Sequence, residues 1–126
     1  MKKVIHSDSA PKALGPYSQA IQTGGLVFTS GQVPIDPASG KLVEGDIRVQ
    51  TGQVMENLKA VLAAAGSDFG KVVKSTVFLA DIKDFAAFNE VYGRYFSSQP
   101  PARSTFQVAA LPLGARIEIE MVAEAA

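Results

Sequence analysis

The sequence contains no cysteine and a single histidine, His6. Without cysteine there can be no disulfide bond, no thiolate nucleophile and no cysteine-ligated metal. One histidine cannot form a two-histidine metal site, and no base–nucleophile pair can be built around it, so we interpret His6 as structural. The glycines follow neither the G-x-G-x-x-G pattern nor the Walker pattern, so the sequence does not predict a phosphate-binding loop.

The sequence also lacks an excess of charge and a long apolar segment. Lys and Arg together number 12, and Asp and Glu together number 12. A formally neutral chain gives no electrostatic reason to expect nucleic acid or an anionic membrane as a partner. The opening stretch, MKKVIHSDSAPKALGPY, turns polar after two apolar residues, and no other stretch is long enough to span a bilayer. We therefore expect a soluble, cytoplasmic protein.

The composition is that of an ordinary globular protein. The 126 residues are 47% hydrophobic and 19% charged, which predicts a single domain over residues 1–126. Apolar spacings predict six strands and two helices in the order β-β-β-α-β-α-β-β, with a Gly24–Gly25 turn between the second and third strands. The predicted strands are Lys3–Ile5, Ser18–Gln22, Leu26–Gln32, Val72–Ala80, Arg103–Leu111 and Arg116–Glu124, and the predicted helices run from Asp46 to Gly66 and from Asp84 to the prolines at 100 and 101.

Two amphipathic helices can cover one face of a single sheet, which predicts an α+β fold with both helices on the same face. We expect the other face to carry mixed residues such as Ser75, Thr76, Thr105 and Gln107. A half-polar face on a small domain often meets another copy of the same chain, which predicts a closed oligomer. The alternative is an antiparallel face that is simply solvated.

Arg103 is the first candidate for a functional residue, because it follows Pro100, Pro101 and Ala102 at the start of a predicted strand. The planar guanidinium of an arginine can bind a carboxylate through two parallel hydrogen bonds, which a lysine cannot do. From its spacing alone, the commoner interpretation is an arginine at the rim of the domain that pairs with a surface acid.

Glu118 and Glu120 are the second candidates, because residues two apart on a strand share a face. Ile117, Ile119 and Met121 then take the opposite face, which we predict to be the core. Two neighbouring carboxylates can divide acid and base roles when their environments differ. The commoner alternative is a solvated strand face, and charge alternation does not decide between the two.

Tyr17, Ser30, Gly31 and Asn89 are weaker candidates. Tyr17 lies at a loop–strand junction, where it could cover a small site and donate one hydrogen bond. Gly31, with Ser30 beside it, could let a ligand approach backbone N–H groups. The alternatives are a half-buried aromatic for Tyr17, a strand end or bulge for Gly31 and an exposed polar position for Asn89.

Five segments of the chain together resemble the Rid family, the reactive intermediate (enamine/imine) deaminases, which are also called YjgF-type or UK-type proteins. The resemblance covers nearly the whole chain, and the segments occur in the order that the family shows. They are APKALGPYSQAI, LVFTSGQVPIDPASGKLV, QTGQVMENLKAVLAAAG, VVKSTVFLADIKDFAAFNEVY and PPARSTFQVAALPLGARIEIEM. Their detailed form is similar to the RidA subgroup, which hydrolyses 2-imino acids.

The resemblance implies roles for the candidate residues. It implies that Arg103 clamps the substrate carboxylate and that Glu118 positions the attacking water, whereas Glu120 is a surface residue. Tyr17 matches another position of the family's site, as do Ser30, Gly31 and Asn89. Thr105 stands where RidA-type members usually carry cysteine. We expect the backbone of Thr105 still to contact the ligand, whereas thiol-based reactivity should be lost.

The resemblance further implies a fold of the trimeric chorismate-mutase type and a homotrimer with sites between subunits. It implies hydrolysis of 2-iminopropanoate or 2-iminobutanoate to a 2-keto acid and ammonia, without a metal or cofactor. A short turn joins the strands of Arg103 and Glu118, so we expect these two residues to serve one site from one chain, with Tyr17 reaching it from a neighbour. The alternatives are a carboxylate-binding or chaperone-like interaction protein and an RNA-cleaving inhibitor of translation.

Overall fold

Six strands form one mixed sheet in the computed structural model, which describes residues 1–125. The strands are β1 (Lys3–Ile5), β2 (Ala20–Thr23), β3 (Leu26–Thr29), β4 (Val72–Leu79), β5 (Ala102–Gln107) and β6 (Ile117–Glu124). Their spatial order is β1-β2-β3-β6-β4-β5, in which β4 and β5 pair in parallel and the other neighbours pair antiparallel. The α+β class and the order of elements are confirmed; Ala126, the last residue of the predicted domain, lies outside the described residues.

The two helices pack on one face of this sheet. Helix α1 (Ile47–Ala64) begins after Asp46, whose carboxylate accepts a hydrogen bond from the Val49 N–H at 3.1 Å and thereby caps the helix as predicted. Helix α2 (Phe85–Gly93) follows a short 3₁₀ turn, and Asp84 makes no capping hydrogen bond with its side chain. Within the described part of the chain, no helix has both the length and the apolar content to cross a bilayer.

Strands β3 and β5 are shorter than predicted. β5 pairs with β4, which stops at Leu79, so the ladder ends with the hydrogen bond from Val108 N–H to the Leu79 carbonyl. After Thr29 the chain leaves β2, and it touches the sheet again through an isolated bridge between Gln32 and Ile119. The residues at 30 and 31 are thereby held at the sheet without belonging to a strand.

The alternation of β6 decides which side chains reach the core. Ile117, Ile119 and Met121 are at most 1% exposed and pack against the helices, so Glu118 and Glu120 lie on the opposite, open face, as predicted. Ser75 pairs with Met121 and is fully buried on the helix side.

The expectation that Ser75, Thr105 and Gln107 lie on the open face is therefore wrong, because the strand pairing places all three side chains on the face that the helices cover. Burial of Ser75 is tolerated because its hydroxyl is hydrogen-bonded to the hydroxyl of Tyr92 at 2.6 Å. The open face instead carries Thr76 together with aromatic side chains, of which Phe106 is 44% exposed.

Three buried amide side chains attach the long loops to this framework. Asn57 of α1 is fully buried and donates to two backbone carbonyls of the loop after β3, those of Val33 and Ile35, at 3.3 and 2.9 Å. Gln50 donates to the Val43 carbonyl and accepts from the Arg116 N–H. Gln19 bonds to the backbone of the N-terminal loop at Ser7 and Pro11. These loops are fixed by specific hydrogen bonds rather than by apolar packing alone.

We predict that Asn57→Ala lowers the free energy of unfolding by about 1–3 kcal/mol, because it leaves the buried Ile35 carbonyl without a donor and removes one of the two donors to the Val33 carbonyl. The matched control is Asn89→Ala on the half-buried surface of α2, which should change the stability by less than about 0.5 kcal/mol. Urea denaturation of both variants at one protein concentration measures the difference. Equal stability of the two variants would contradict the role of Asn57 as a loop anchor.

Candidate functional site

A depression of about 440 Å³ opens on the open face of the sheet, beside the carboxylates of β6. Its walls come from the N-terminal loop, the segment after β3, the turn before β6 and β6 itself. The lining residues are Leu14, Tyr17, Ser30, Gly31, Val33, Pro112, Glu118 and Glu120. It therefore combines an apolar rim with two carboxylates, and it gathers four of the residues predicted for the site together with Glu120, which was predicted for the surface.

Glu118 lies directly against the backbone of Gly31. A Cβ atom at position 31 would sit 2.5 Å from Oε2 of Glu118 and 2.8 Å from its Cδ, so any side chain larger than hydrogen would displace this carboxylate. Among residues 1–125, none accepts a hydrogen bond from the Gly31 N–H. Glycine thus leaves room for the carboxylate beside the backbone.

Ser30 and Tyr17 are held in place by local hydrogen bonds. The Ser30 hydroxyl donates to the Ser18 carbonyl at 2.6 Å, which joins the strand end to the loop that carries Tyr17. The Tyr17 hydroxyl accepts from the Leu14 N–H at 3.0 Å and keeps its own proton free to donate. The side chain of Tyr17 is 47% exposed, so it stands at the mouth of the depression as a donor with a fixed orientation.

The carboxyl group of Glu118 is electrostatically unusual. Burial raises its pKa above the ordinary value for glutamate, and the negative charge of Glu120 raises the pKa further. No salt bridge in the described part of the chain involves either glutamate. A carboxylate with a raised pKa is a stronger base than an exposed one, which suits it to accept a proton from water.

Arg103 lies on the other side of the sheet. It is the second residue of β5 and pairs with Ser75 of β4, on the face that the helices cover. Its guanidinium carbon is 5.5, 5.2 and 5.0 Å from the ring centres of Phe85, Phe88 and Tyr92 on α2. Within residues 1–125 it forms no salt bridge.

Strand β5 is at the edge of the sheet, and its unpaired side adds backbone groups near Arg103. Alternate residues of a strand bond to opposite neighbours. Since the Val108 N–H bonds to β4, the N–H and C=O groups of Arg103 and Thr105 point to the free edge. The Thr105 hydroxyl is buried and has no partner in the described residues, so an approaching ligand would meet the backbone of Thr105 rather than its side chain.

The predicted site residues thus form two groups on opposite faces of one chain. Tyr17, Ser30, Gly31 and Glu118 meet in the depression, whereas Arg103 and Thr105 lie on the helix side of β5. Asn89 is grouped with Arg103 and Thr105 by its spacing, because it lies on α2 four residues after Phe85 and three before Tyr92. The expectation that Arg103 and Glu118 serve one site from one chain is therefore wrong: the two side chains leave neighbouring parts of the sheet in opposite directions.

Sequence reasoning missed the contribution of α2 and Ser75 to this arrangement. The three α2 residues whose rings lie against Arg103 are not among the predicted site residues; they are Phe85, Phe88 and Tyr92. The sequence pattern predicts Ser75 on the open face. A correct prediction of the pairing between β4 and β5 would have placed Ser75 beside Arg103. Among the described residues, no three His, Cys, Asp or Glu side chains are grouped as metal ligands would be.

Comparisons with known proteins agree over nearly the full length. A family model described as Endoribonuclease L-PSP matches residues 7–125. Protein DfrA of Myxococcus xanthus is 60% identical over 124 residues, covering 97% of this chain and 95% of that protein. The 2-iminobutanoate/2-iminopropanoate deaminase of Mus musculus is 51% identical over 123 residues, covering 98% of this chain and 91% of the relative. The crystal structure of YyfA from Yersinia pestis, described as a conserved Rid family protein of unknown function, superposes with a TM-score of 0.96 at 49% identity and covers 98% and 99% of the two chains.

We predict that Glu120→Gln lowers the pKa of Glu118, because it removes the like charge that disfavours ionisation. Glu120 lies two residues away on the same strand face, about 7 Å along β6, whereas Glu124 lies about 20 Å away. A ¹³C NMR titration of the glutamate carboxyl groups should show the Glu118 midpoint at lower pH in Glu120→Gln and unchanged in the control Glu124→Gln. The same midpoint in all three proteins would show that Glu120 does not affect Glu118.

Proposed function

The chain belongs to the Rid (YjgF) family, and we propose that it hydrolyses small 2-imino acids, such as 2-iminopropanoate and 2-iminobutanoate, to 2-keto acids and ammonia. The observation that carries the proposal is the half-buried Glu118, whose pKa is raised and whose carboxylate lies in the depression beside the α-carbon of Gly31. Relatives about 50% identical are named for this deaminase activity, those of Mus musculus and Homo sapiens among them.

Glu118 acts as the general base in this mechanism. It takes a proton from a water molecule as the oxygen attacks the carbon of the protonated imine, which gives a tetrahedral carbinolamine. It then returns the proton to the nitrogen, the C–N bond breaks and ammonia leaves. The remaining hydroxyl loses its proton to become the carbonyl of the keto acid. A positioned general base contributes about 10²- to 10⁴-fold to a rate.

Arg103 binds the carboxylate of the substrate, and it does so from a neighbouring subunit. In one chain Arg103 and Glu118 lie on opposite faces of the sheet, so a site that contains both requires a second copy. The unpaired edge of β5 and the exposed Phe28 and Phe106 of the open face, 41% and 44% exposed, offer surface for such a contact. We propose a homotrimer with a site at each boundary.

The remaining residues complete the proposed site. The free proton of the Tyr17 hydroxyl can bond to the substrate near its reacting end, and Ser30 holds the Tyr17 loop beside Gly31. The backbone of Thr105 at the free edge of β5 supplies a donor next to the guanidinium, with Asn89 on the facing helix. None of these steps uses a metal or a cofactor.

RNA cleavage is a second candidate, because the matching family model is described as an endoribonuclease. A ribonuclease site normally needs a basic groove for the phosphate backbone and a positioned acid–base pair. This chain is formally neutral, and its one histidine pairs with Asp8 in an exposed position, with side chains 61% and 99% exposed. These observations favour imine hydrolysis over RNA cleavage.

We predict that Glu118→Gln loses about 10²- to 10⁴-fold in kcat while it still binds pyruvate, because the amide cannot accept the proton of water. The assay couples a pyridoxal-phosphate threonine dehydratase to this protein and follows formation of the keto acid. Glu120→Gln is the matched control and should be close to wild type at pH 7. Full activity of Glu118→Gln would exclude it as the base, and RNA cleavage by the wild type without imine hydrolysis would favour the second candidate.

We predict that Arg103→Ala and Glu118→Gln complement each other in mixed trimers. If each site takes Arg103 from one subunit and Glu118 from the next, random mixing in equal amounts leaves roughly a quarter of the boundaries with both residues intact. The two variants are denatured together, refolded, verified as mixed trimers by native mass spectrometry and assayed for imine hydrolysis.

The control for this experiment is the pair Tyr17→Ala and Glu118→Gln. Both residues line the same depression of one chain. Every subunit in the mixture would therefore lack one of the two residues in its own depression, and mixing should restore no activity. Recovery in the control pair, or none in verified mixed trimers of the first pair, would contradict the proposed division of the site between subunits.

A further inference from the structure

The guanidinium of Arg103 lies in a cradle of three aromatic rings, those of Phe85, Phe88 and Tyr92. The distances from its central carbon to the ring centres are 5.5, 5.2 and 5.0 Å, all within the range of a cation–π contact. The rings come from positions 85, 88 and 92, whose spacing of three and four residues places them on one stripe of α2. We call these three residues the aromatic cradle.

Among residues 1–125, the aromatic cradle leaves the hydrogen-bond donors of Arg103 without a partner. Aromatic rings attract the guanidinium as a cation, but they carry no carboxylate or carbonyl oxygen to accept its N–H groups. Arg103 has no carboxylate partner among residues 1–125, in contrast to Arg48, which is paired with Glu90 at 3.0 Å. The donors of Arg103 therefore stay available for an incoming carboxylate.

One ring of the cradle is anchored by a buried hydrogen bond. The hydroxyl of Tyr92 is 2.6 Å from that of Ser75, and Ser75 is the residue of β4 that pairs with Arg103. Burial raises the pKa of Tyr92 above its ordinary value, so the hydroxyl is neutral near pH 7. Its bond to Ser75 ties the ring to the strand beside Arg103.

We propose that the aromatic cradle, with its third ring anchored by Ser75, positions Arg103 for binding of the substrate carboxylate. The three rings and Ser75 are positioning residues, since they act through Arg103. A guanidinium that is ordered before binding loses less conformational freedom when the two-pronged contact forms, so the cradle increases affinity for the carboxylate. This inference rests on the role that the proposed function gives to Arg103.

The test uses Phe85, because it is the exposed member of the cradle, at 38%, and can be replaced with little effect on the core. Phe85→Leu removes the aromatic face and should weaken the binding of 2-oxobutanoate roughly two- to fivefold by isothermal titration calorimetry. Phe85→Tyr keeps the face and should bind as the wild type does. A role in packing alone would not separate these two variants when both are equally stable.

A second pair of variants tests the anchor. Tyr92→Phe keeps the ring and removes only its bond to Ser75, whereas the control Tyr95→Phe removes a hydroxyl that bonds to Glu56, away from Arg103. We expect Tyr92→Phe to weaken 2-oxobutanoate binding about twofold or more and to shift the Nε–Hε NMR signal of Arg103, which senses the neighbouring rings. Tyr95→Phe should change neither readout.

Unchanged affinity in both Phe85→Leu and Tyr92→Phe would overturn the proposal, and so would a wild-type protein that does not bind keto acids. Weaker binding by both variants supports it whatever the outcome of the imine assay, because keto-acid binding needs no turnover. If these binding effects are observed but the wild-type protein hydrolyses no imine, the proposed function is contradicted, whereas the proposed role of the aromatic cradle is supported.

Discussion

The two-residue alternation of the strands is the constraint on which the arrangement of the candidate site depends. It sends Glu118 to the open face and Arg103 to the helix face, although their strands are two positions apart in the sheet. No rotamer change can bring a side chain through a packed sheet. The same alternation gives the core of β6 its unbroken apolar row, so the separation of the two charges and the stability of the fold have one origin.

The close approach of Glu118 to the backbone of Gly31 determines the environment of its carboxylate. The carboxylate occupies the space that a side chain at position 31 would take, and this partial burial is the main cause of its raised pKa. Buried amides hold the surrounding loops: Asn57 anchors the segment after β3, and Gln19 anchors the N-terminal loop. A base with a tuned pKa needs such a fixed environment, because a mobile loop would admit water and return the pKa toward its ordinary value.

The parts that the sequence predicts well are those with a strong local signal. Gly24 and Gly25 both adopt positive φ, as the tight turn requires, and the alternation of β6 places Glu118 correctly. The face of Arg103 has no such signal, because β5 is an edge strand whose two sides are both partly exposed. The face of Ser75 was equally hard to predict, because its burial is favourable only through the hydrogen bond between its hydroxyl and that of Tyr92. These assignments depend on contacts between elements distant in sequence, which local patterns do not contain.

In the proposed site, helix α2 uses the same side chains for packing and for positioning Arg103. Phe88 and Tyr92 are 0% and 4% exposed and belong to the main core, so a substitution there changes stability and the position of Arg103 together. Phe85 lies at the exposed end of the stripe and contributes mainly to the second property. If Arg103 binds the carboxylate as proposed, a substitution at position 85 should change the affinity with little effect on stability, whereas substitution of Phe88 or Tyr92 should change both.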